Sequence, residues 1–255
     1  MPGSNRLQFD FEWRITLFAV VLVPLMASLG VWQLQRAQEK AHLAAEFAER
    51  QQQAPAPLSA LWDKTDEALA YLPVRLIGSF LPDKYFLLDN QVQDGQVGYE
   101  VLGILQLADA AGSVLVNRGW IAGDAARRTL PAVPVVTGPV DITGHVYVAP
   151  GAPFLLAEQH LDTAWPMRIQ AVEMSKLGPL VTVLQVGNVF PFPVRIDAGQ
   201  QGALKVNWQV VNMSPQMHQG YAVQWFAMAA VLLVFYLLRS SNVWQLVTGT
   251  DRVGK

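Results

Sequence analysis

His218, Tyr221 and Trp225 stand at i, i+3 and i+7, so on a helix an imidazole, a phenol and an indole share one stripe, with Gln224 adjoining. Trp32 and Arg36, four apart near the other end of the chain, share a second face with Gln33 beside them. Ser214-Pro215 reads as an N-cap followed by proline at the first helical position, which puts His218 in the opening turn. There the positive end of the helix dipole disfavours imidazolium and leaves a ring lone pair free to ligate iron. The planar Arg36 cation suits a carboxylate, such as a haem propionate. A plainer reading stands beside this one, because Trp and Tyr favour membrane interfaces for their amphipathic rings and arginine snorkels there.

Both clusters adjoin uncharged apolar stretches. Ile15 to Gln35 lies between Arg14 and Arg36, and Gln219 to Leu238 lies between His218 and Arg239. Each matches the ~20 residues that a helix needs to cross a ~30 Å hydrocarbon core. The first apolar region exceeds the ~7–15 residues of a signal peptide and runs into a charged helical continuation, so a retained anchor is expected. Pro24 bends such a helix without preventing it from spanning. Arg239, Arg252 and Lys255 follow the second span while Lys205 precedes it, so the positive-inside rule expects cytoplasmic ends and an extracytoplasmic centre. The expected order is a cytoplasmic segment 1–14, a span 15–35, a helical stalk and Pro linker 36–57, a β-rich domain 58–213, a second span with its first turn 214–238, and a tail 239–255.

The chain has no cysteine, which removes disulfides, thiolate metal sites and Cys-linked haem. Its net charge of −2 without a basic run argues against nucleic acid as a partner. Strict alternation over Val140 to Val148 and Leu204 to Val210 predicts half-buried strands. Val74 to Phe80, Tyr85 to Asp89, Tyr99 to Leu107, Ser113 to Asn117 and Leu180 to Val186 are further candidates. Asp94-Gly95 and Ala111-Gly112 supply turns. One helix is expected over Ile169 to Leu177, stopped by Gly178-Pro179, and Gly123 to Pro139 reads as a long exposed loop. The fold class is therefore two transmembrane helices flanking a mainly antiparallel β domain, a barrel or a sandwich.

No nucleophile elbow, phosphate-binding glycine loop, dinucleotide fingerprint or His-Glu-x-x-His pattern occurs, so no enzyme is expected. His42, His145 and His160 are scattered. His145 is expected on an exposed face, and His160 with Asp162 as a solvated loop pair.

Three ordered motifs carry a likeness. Gly30-Val31-Trp32-Gln33-Leu34-Gln35-Arg36 leaves the first span, Val116-Asn117-Arg118-Gly119-Trp120-Ile121 lies in the central region, and His218-Gln219-Gly220-Tyr221-Ala222-Val223-Gln224-Trp225-Phe226 enters the last span. The chain resembles the surfeit locus protein family of cytochrome oxidase assembly factors, also called Shy-type proteins, from about Phe11 to Arg239. The resemblance implies a membrane protein, of the bacterial inner membrane rather than the mitochondrial one, that helps to mature a haem-copper terminal oxidase. It implies transient contact with haem a at His218, which adds to the reading of Arg36, Trp32, Tyr221 and Trp225 as a site around that histidine. The partners it implies are the catalytic subunit of cytochrome oxidase, possible haem a synthase and membrane lipid. Arg118 and Trp120 are read either as partner-binding residues or as a glycine turn and sheet anchor. Where the family usually has Asn-Asn before the histidine, this chain has Gln216-Met217. Two readings of other classes stand beside it: a two-anchor extracytoplasmic scaffold or ligand-sensing protein without haem, and a membrane enzyme processing haem or quinone.

Overall fold

The computed structural model describes residues 8–244, except positions 63, 65, 110, 111, 125, 127, 150, 152–158, 160, 162, 163, 185, 186 and 209–212. It divides into two units, residues 1–45 with 210–255, and residues 46–209.

The first unit is a helical hairpin. Helix α1 spans Trp13–Gln51 and keeps Pro24 in its interior, and helix α4 spans Pro215–Ser240. Small residues make the close contacts: Ala19, Gly30, Ala222 and Ala229 are buried, and a β-carbon on Gly30 would lie 2.7 Å from the Phe226 ring. Large apolar side chains point away, among them Phe18, Val21, Val231, Val234 and Phe235. The core helix of a water-soluble protein hides such groups, whereas only 11% of each helix's most apolar window is buried here. Side chains this exposed over this length are matched by hydrocarbon, not water, and the protein is a membrane protein.

Polar clasps bracket the hairpin. At one end, Gln33 meets His218. At the other, the Thr16 and Tyr236 hydroxyls lie 3.1 Å apart, Arg239 pairs with Glu12 at 3.4 Å, and Phe9 bridges Ser241. Seventeen residues of α1 and eighteen of α4 separate the clasps, about 26 Å at helical rise, close to a bilayer's apolar thickness. Hydrogen-bonding groups thus lie at two levels with hydrocarbon-compatible surface between them.

The second unit is a closed barrel. Strands β2 (Pro73–Gln93), β3 (Gln96–Leu107), β4 (Ser113–Ala122), β7 (Val194–Ile196) and β5 (Pro139–Val146) pair in that order, and β2 then pairs with β5. Two short strands, β1 (Ala56–Pro57) and β6 (Met167–Ile169), add to β2 in parallel, and a one-turn helix, α2 (Asp66–Leu69), precedes β2. The long pairings are antiparallel, as composition predicts, and closure selects the barrel over the sandwich. Val116, Val194 and Val146 form one cross-strand row inside, with Leu76, Phe80, Leu105 and Ile142 in the same cluster. The next row, Leu102, Asn117, Arg195 and His145, faces outward. Part of that wall is covered by helix α3 (Met174–Thr182) and β6, whose Leu177, Val181, Met167 and Ile169 pack on Phe86, Ile104 and Leu115.

Several local expectations change. Val74 to Phe80 and Tyr85 to Asp89 are one strand with an irregularity between them, where Asp83 takes φ 57°. Leu204 to Val210, despite its clean alternation, makes only a bridge from Lys205 to Trp120 among its described residues. The reason is a bulge in β4, where the register slips opposite Val101 and Gly119 adopts φ 106°, so the ladder cannot continue. The Arg118-Gly119 segment is thus a bulge within a strand. Gly178-Pro179 lies inside α3, which begins after the expected start because Met167–Ile169 pairs with Phe86, Leu87 and Leu88 instead. Leu180, expected in a strand, belongs to that helix, and positions 185 and 186 lie outside the described residues. Asp94-Gly95 is a turn with both residues at positive φ, as its sequence requires, and Gly123 to Pro139 contains no described strand before Pro139.

Candidate functional site at the end of the helical hairpin

Ser214 caps α4, its hydroxyl accepting from the Met217 amide at 3.3 Å, so His218 does lie in the first turn. The His218 Nδ1 stands 2.8 Å from Gln33 Oε1. A carbonyl oxygen only accepts, so in this pairing Nδ1 is the donor, and the tautomer that matches it has its lone pair on Nε2. Histidines that bind metals characteristically donate their other ring N–H in this way, which fixes tautomer and ring orientation. The sequence places Gln33 beside Trp32 and Arg36, but its role as the direct partner of His218 emerges only when the helices pack.

The remaining members are arranged differently. Arg36 donates to Glu39 Oε2 at 2.7 Å and its guanidinium lies 5.7 Å from the centre of the Trp32 ring. Both charged side chains are about half exposed, so this pair is readily exchanged for another carboxylate. Tyr221 and Trp32 are exposed and Trp225 is partly buried. Among the described residues there is no group of three or more His, Asp or Glu able to hold a metal ion. One imidazole with an oriented second nitrogen suits an axial position on a metal whose other ligands come with it, such as haem iron.

In the barrel, Arg118 is buried. Its Nε donates to the Gly202 carbonyl at 2.8 Å, a terminal nitrogen donates to Pro134 at 2.9 Å, and the cation lies over Phe80. Burial lowers its pKa, an effect opposed by the nearby Tyr85. The same desolvation raises the Tyr85 phenol, with Asp83 adding to the shift. Arg118 therefore ties the 123–139 loop and the turn at Gly202 to β4. Trp120 donates from its indole to the Gln91 carbonyl at 3.0 Å, with Lys205 over its ring. Both residues are well used as structural anchors.

His145, expected on an exposed face, is buried. It lies 3.6 Å from Asp197 Oδ1, too long for a hydrogen bond, and the Phe47 ring packs edge-on against it. The strand's alternation holds, but its outward face is covered at this position. Asp197 accepts from the Thr143 hydroxyl at 2.6 Å, and its carboxyl is held below the ordinary range mainly by the facing His145 and next by that hydroxyl, against the opposing effect of burial. His160 and Asp162 lie outside the described residues.

A clasped membrane hairpin joined in one chain to a small closed barrel, with an oriented imidazole at a helix start, defines a two-span membrane protein of distinctive build. The SURF1 family model matches residues 20–230, and the chain belongs to that family. It is 25% identical over 236 residues to a SURF1-like protein of Monosiga brevicollis, covering 86% of this chain and 85% of that one. It is 32% identical over 110 residues to a SURF1-like protein of Dictyostelium discoideum, 40% of each chain. It is also 28% identical over 121 residues to the cytochrome oxidase assembly protein SHY1 of Saccharomyces cerevisiae, 47% of this chain and 31% of that one.

Proposed function

We propose that the protein is a membrane-anchored assembly factor for cytochrome oxidase that presents haem a, as cargo, to the oxidase's catalytic subunit. Family membership and the likeness to a yeast cytochrome oxidase assembly protein support the assembly function. The observation that carries the cargo step is the Gln33–His218 pair. Gln33 holds the Nδ1 proton and thereby leaves Nε2 to face an iron atom. Arg36 would leave Glu39 for a propionate, and Trp32, Tyr221 and Trp225 offer ring surface to the macrocycle. A hairpin whose flanks are hydrocarbon-compatible lets the apolar cargo stay in lipid while its polar edge is held at the interface. Transient holding follows from a single protein ligand and an exposed arginine. Both ends of the hairpin lie together at the Phe9–Ser241 bridge. With the basic residues at and after the end of α4, this supports cytoplasmic ends and an extracytoplasmic barrel; the membrane in this reading is a bacterial inner membrane. The protein acts as a chaperone rather than an enzyme, and haem a synthase is the natural donor.

Deleting the gene is expected to lower assembled haem a-containing oxidase while haem a itself continues to be made; unchanged oxidase would reject the assembly role. Protein purified from haem a-producing cells is expected to show a Soret band that His218→Ala removes. Equal haem retention by that variant would leave the assembly function standing and remove His218 as the ligand.

A further inference from the structure

A cleft of about 410 Å3 opens on the outer wall of the barrel, within the size range of small-molecule sites. Its lining includes Arg195, Glu100 and Asn117 together with apolar Leu88, Leu102 and Val172. Arg195 enters it by strand geometry. Val194 and Ile196 point into the barrel core, so the residue between them projects outward, in register with Asn117.

The guanidinium is positioned with unusual care for a residue without a counter-ion. Its carbon lies 3.6 Å from the centre of the Tyr147 ring and 4.9 Å from that of Trp208. Trp208 is itself fixed by donating to the Ile196 carbonyl at 2.7 Å. Arg195 forms no ion pair among the described residues, and its buried Nε has no hydrogen-bond acceptor there. Glu100, the acid in the lining, is engaged by the Asn117 amide at 2.6 Å, and Asn117 spends its oxygen on the Gly119 amide. Stacking between aromatic faces satisfies a cation's flat sides and leaves its planar edge, which is matched to a carboxylate.

We infer that this cleft binds a small amphipathic carboxylate. The carboxylate lies against Arg195, the apolar body rests on Leu88, Leu102 and Val172, and a hydrogen-bond donor at the far end reaches Glu100. This site is separate from the His218 cluster in residues and in chemistry, and it does not depend on the haem reading.

The probe is 6-hydroxy-2-naphthoate, which carries a carboxylate, an apolar body and a donor hydroxyl. Binding to the full chain in nanodiscs is read by fluorescence anisotropy, with empty nanodiscs subtracted and 2-naphthol as the competitor lacking the carboxylate. Saturable binding is expected, with 2-naphthol at least tenfold weaker. Arg195→Gln should lower naphthoate affinity at least tenfold and abolish the preference. Ala149→Trp, at an exposed position on the rim, should block both compounds without disturbing the barrel, and it decides the matter if Arg195→Gln fails to fold. Absence of saturable binding, equal affinity for the two compounds, or wild-type affinity in folded Ala149→Trp would overturn the site.

Discussion

Each region of the molecule sets one histidine beside an oxygen acceptor, and the two pairings have opposite character. In the hairpin, partly exposed His218 is 2.8 Å from a neutral amide, which orients the ring and leaves one nitrogen unused. In the barrel, buried His145 faces a carboxylate at 3.6 Å and neither ring nitrogen has a hydrogen-bond partner among the described residues. The first arrangement fixes an imidazole at the start of a helix, while the second closes a wall. The contrast extends to the surroundings. The barrel is held by apolar interior packing, whereas the hairpin is held by close backbone approach and clasps at its ends, with its large apolar side chains turned outward.

The largest expected effect tests that contrast in packing. Phe86→Ala should cost the barrel about 3–5 kcal/mol, because Phe86 is fully buried and its loss leaves a cavity. Phe235→Ala in the hairpin should cost under about 1 kcal/mol in a bilayer, since that ring is 61% exposed. Thermal unfolding in nanodiscs checks both, and equal losses would break the distinction. Arg118→Ala should come next, at about 2–3 kcal/mol, by stripping a buried cation from two carbonyls that have few other donors. Limited proteolysis within the 123–139 loop is expected to accelerate in parallel.

Gln33→Leu should cost the hairpin about 1 kcal/mol and, more tellingly, release the His218 tautomer. The imidazole 15N shifts should then show a mixture of protonated nitrogens in place of one; an unchanged tautomer would mean that Gln33 does not orient the ring. The smallest effect belongs to the barrel pair. The Asp197 carboxyl lies below its ordinary value in the fold, so the stability it contributes is present above the unfolded carboxylate range and is lost as pH falls through the folded value. Its side chain is 42% exposed, and solvent screening holds the contribution to about 0.5 kcal/mol. Asp197→Asn should flatten the acid limb of a stability–pH curve slightly, which chemical denaturation at a series of pH values measures.

Much of the architecture was legible because it rests on local chemistry. The spans announce themselves by unbroken apolar length, the α4 start by Ser214-Pro215, and the β2–β3 turn by Asp94-Gly95. The errors share one cause, competition from residues distant in sequence. Leu204 to Val210 has the pattern of a strand, yet the bulge at Gly119 limits its pairing. Ile169 has helical neighbours, yet it pairs with Leu88. In the candidate site, His218 and Arg36 stood out by type and position, while Gln33 drew notice only as their neighbour. Arg195 gave no signal beyond one charged residue between two apolar ones.

By itself, the sequence determined partitioning: which segments enter lipid, where their helices start, and which alternating segments have one apolar face. Those properties follow from side-chain transfer energies and backbone preferences that act over a few residues. Tertiary structure alone decided which oxygen His218 and His145 each face, which outward strand face is covered, and which guanidinium has no counter-ion among the described residues. Such outcomes depend on the close approach of residues far apart in the chain and, in the strands, on register, where a slip of one residue would turn each side chain to the other face.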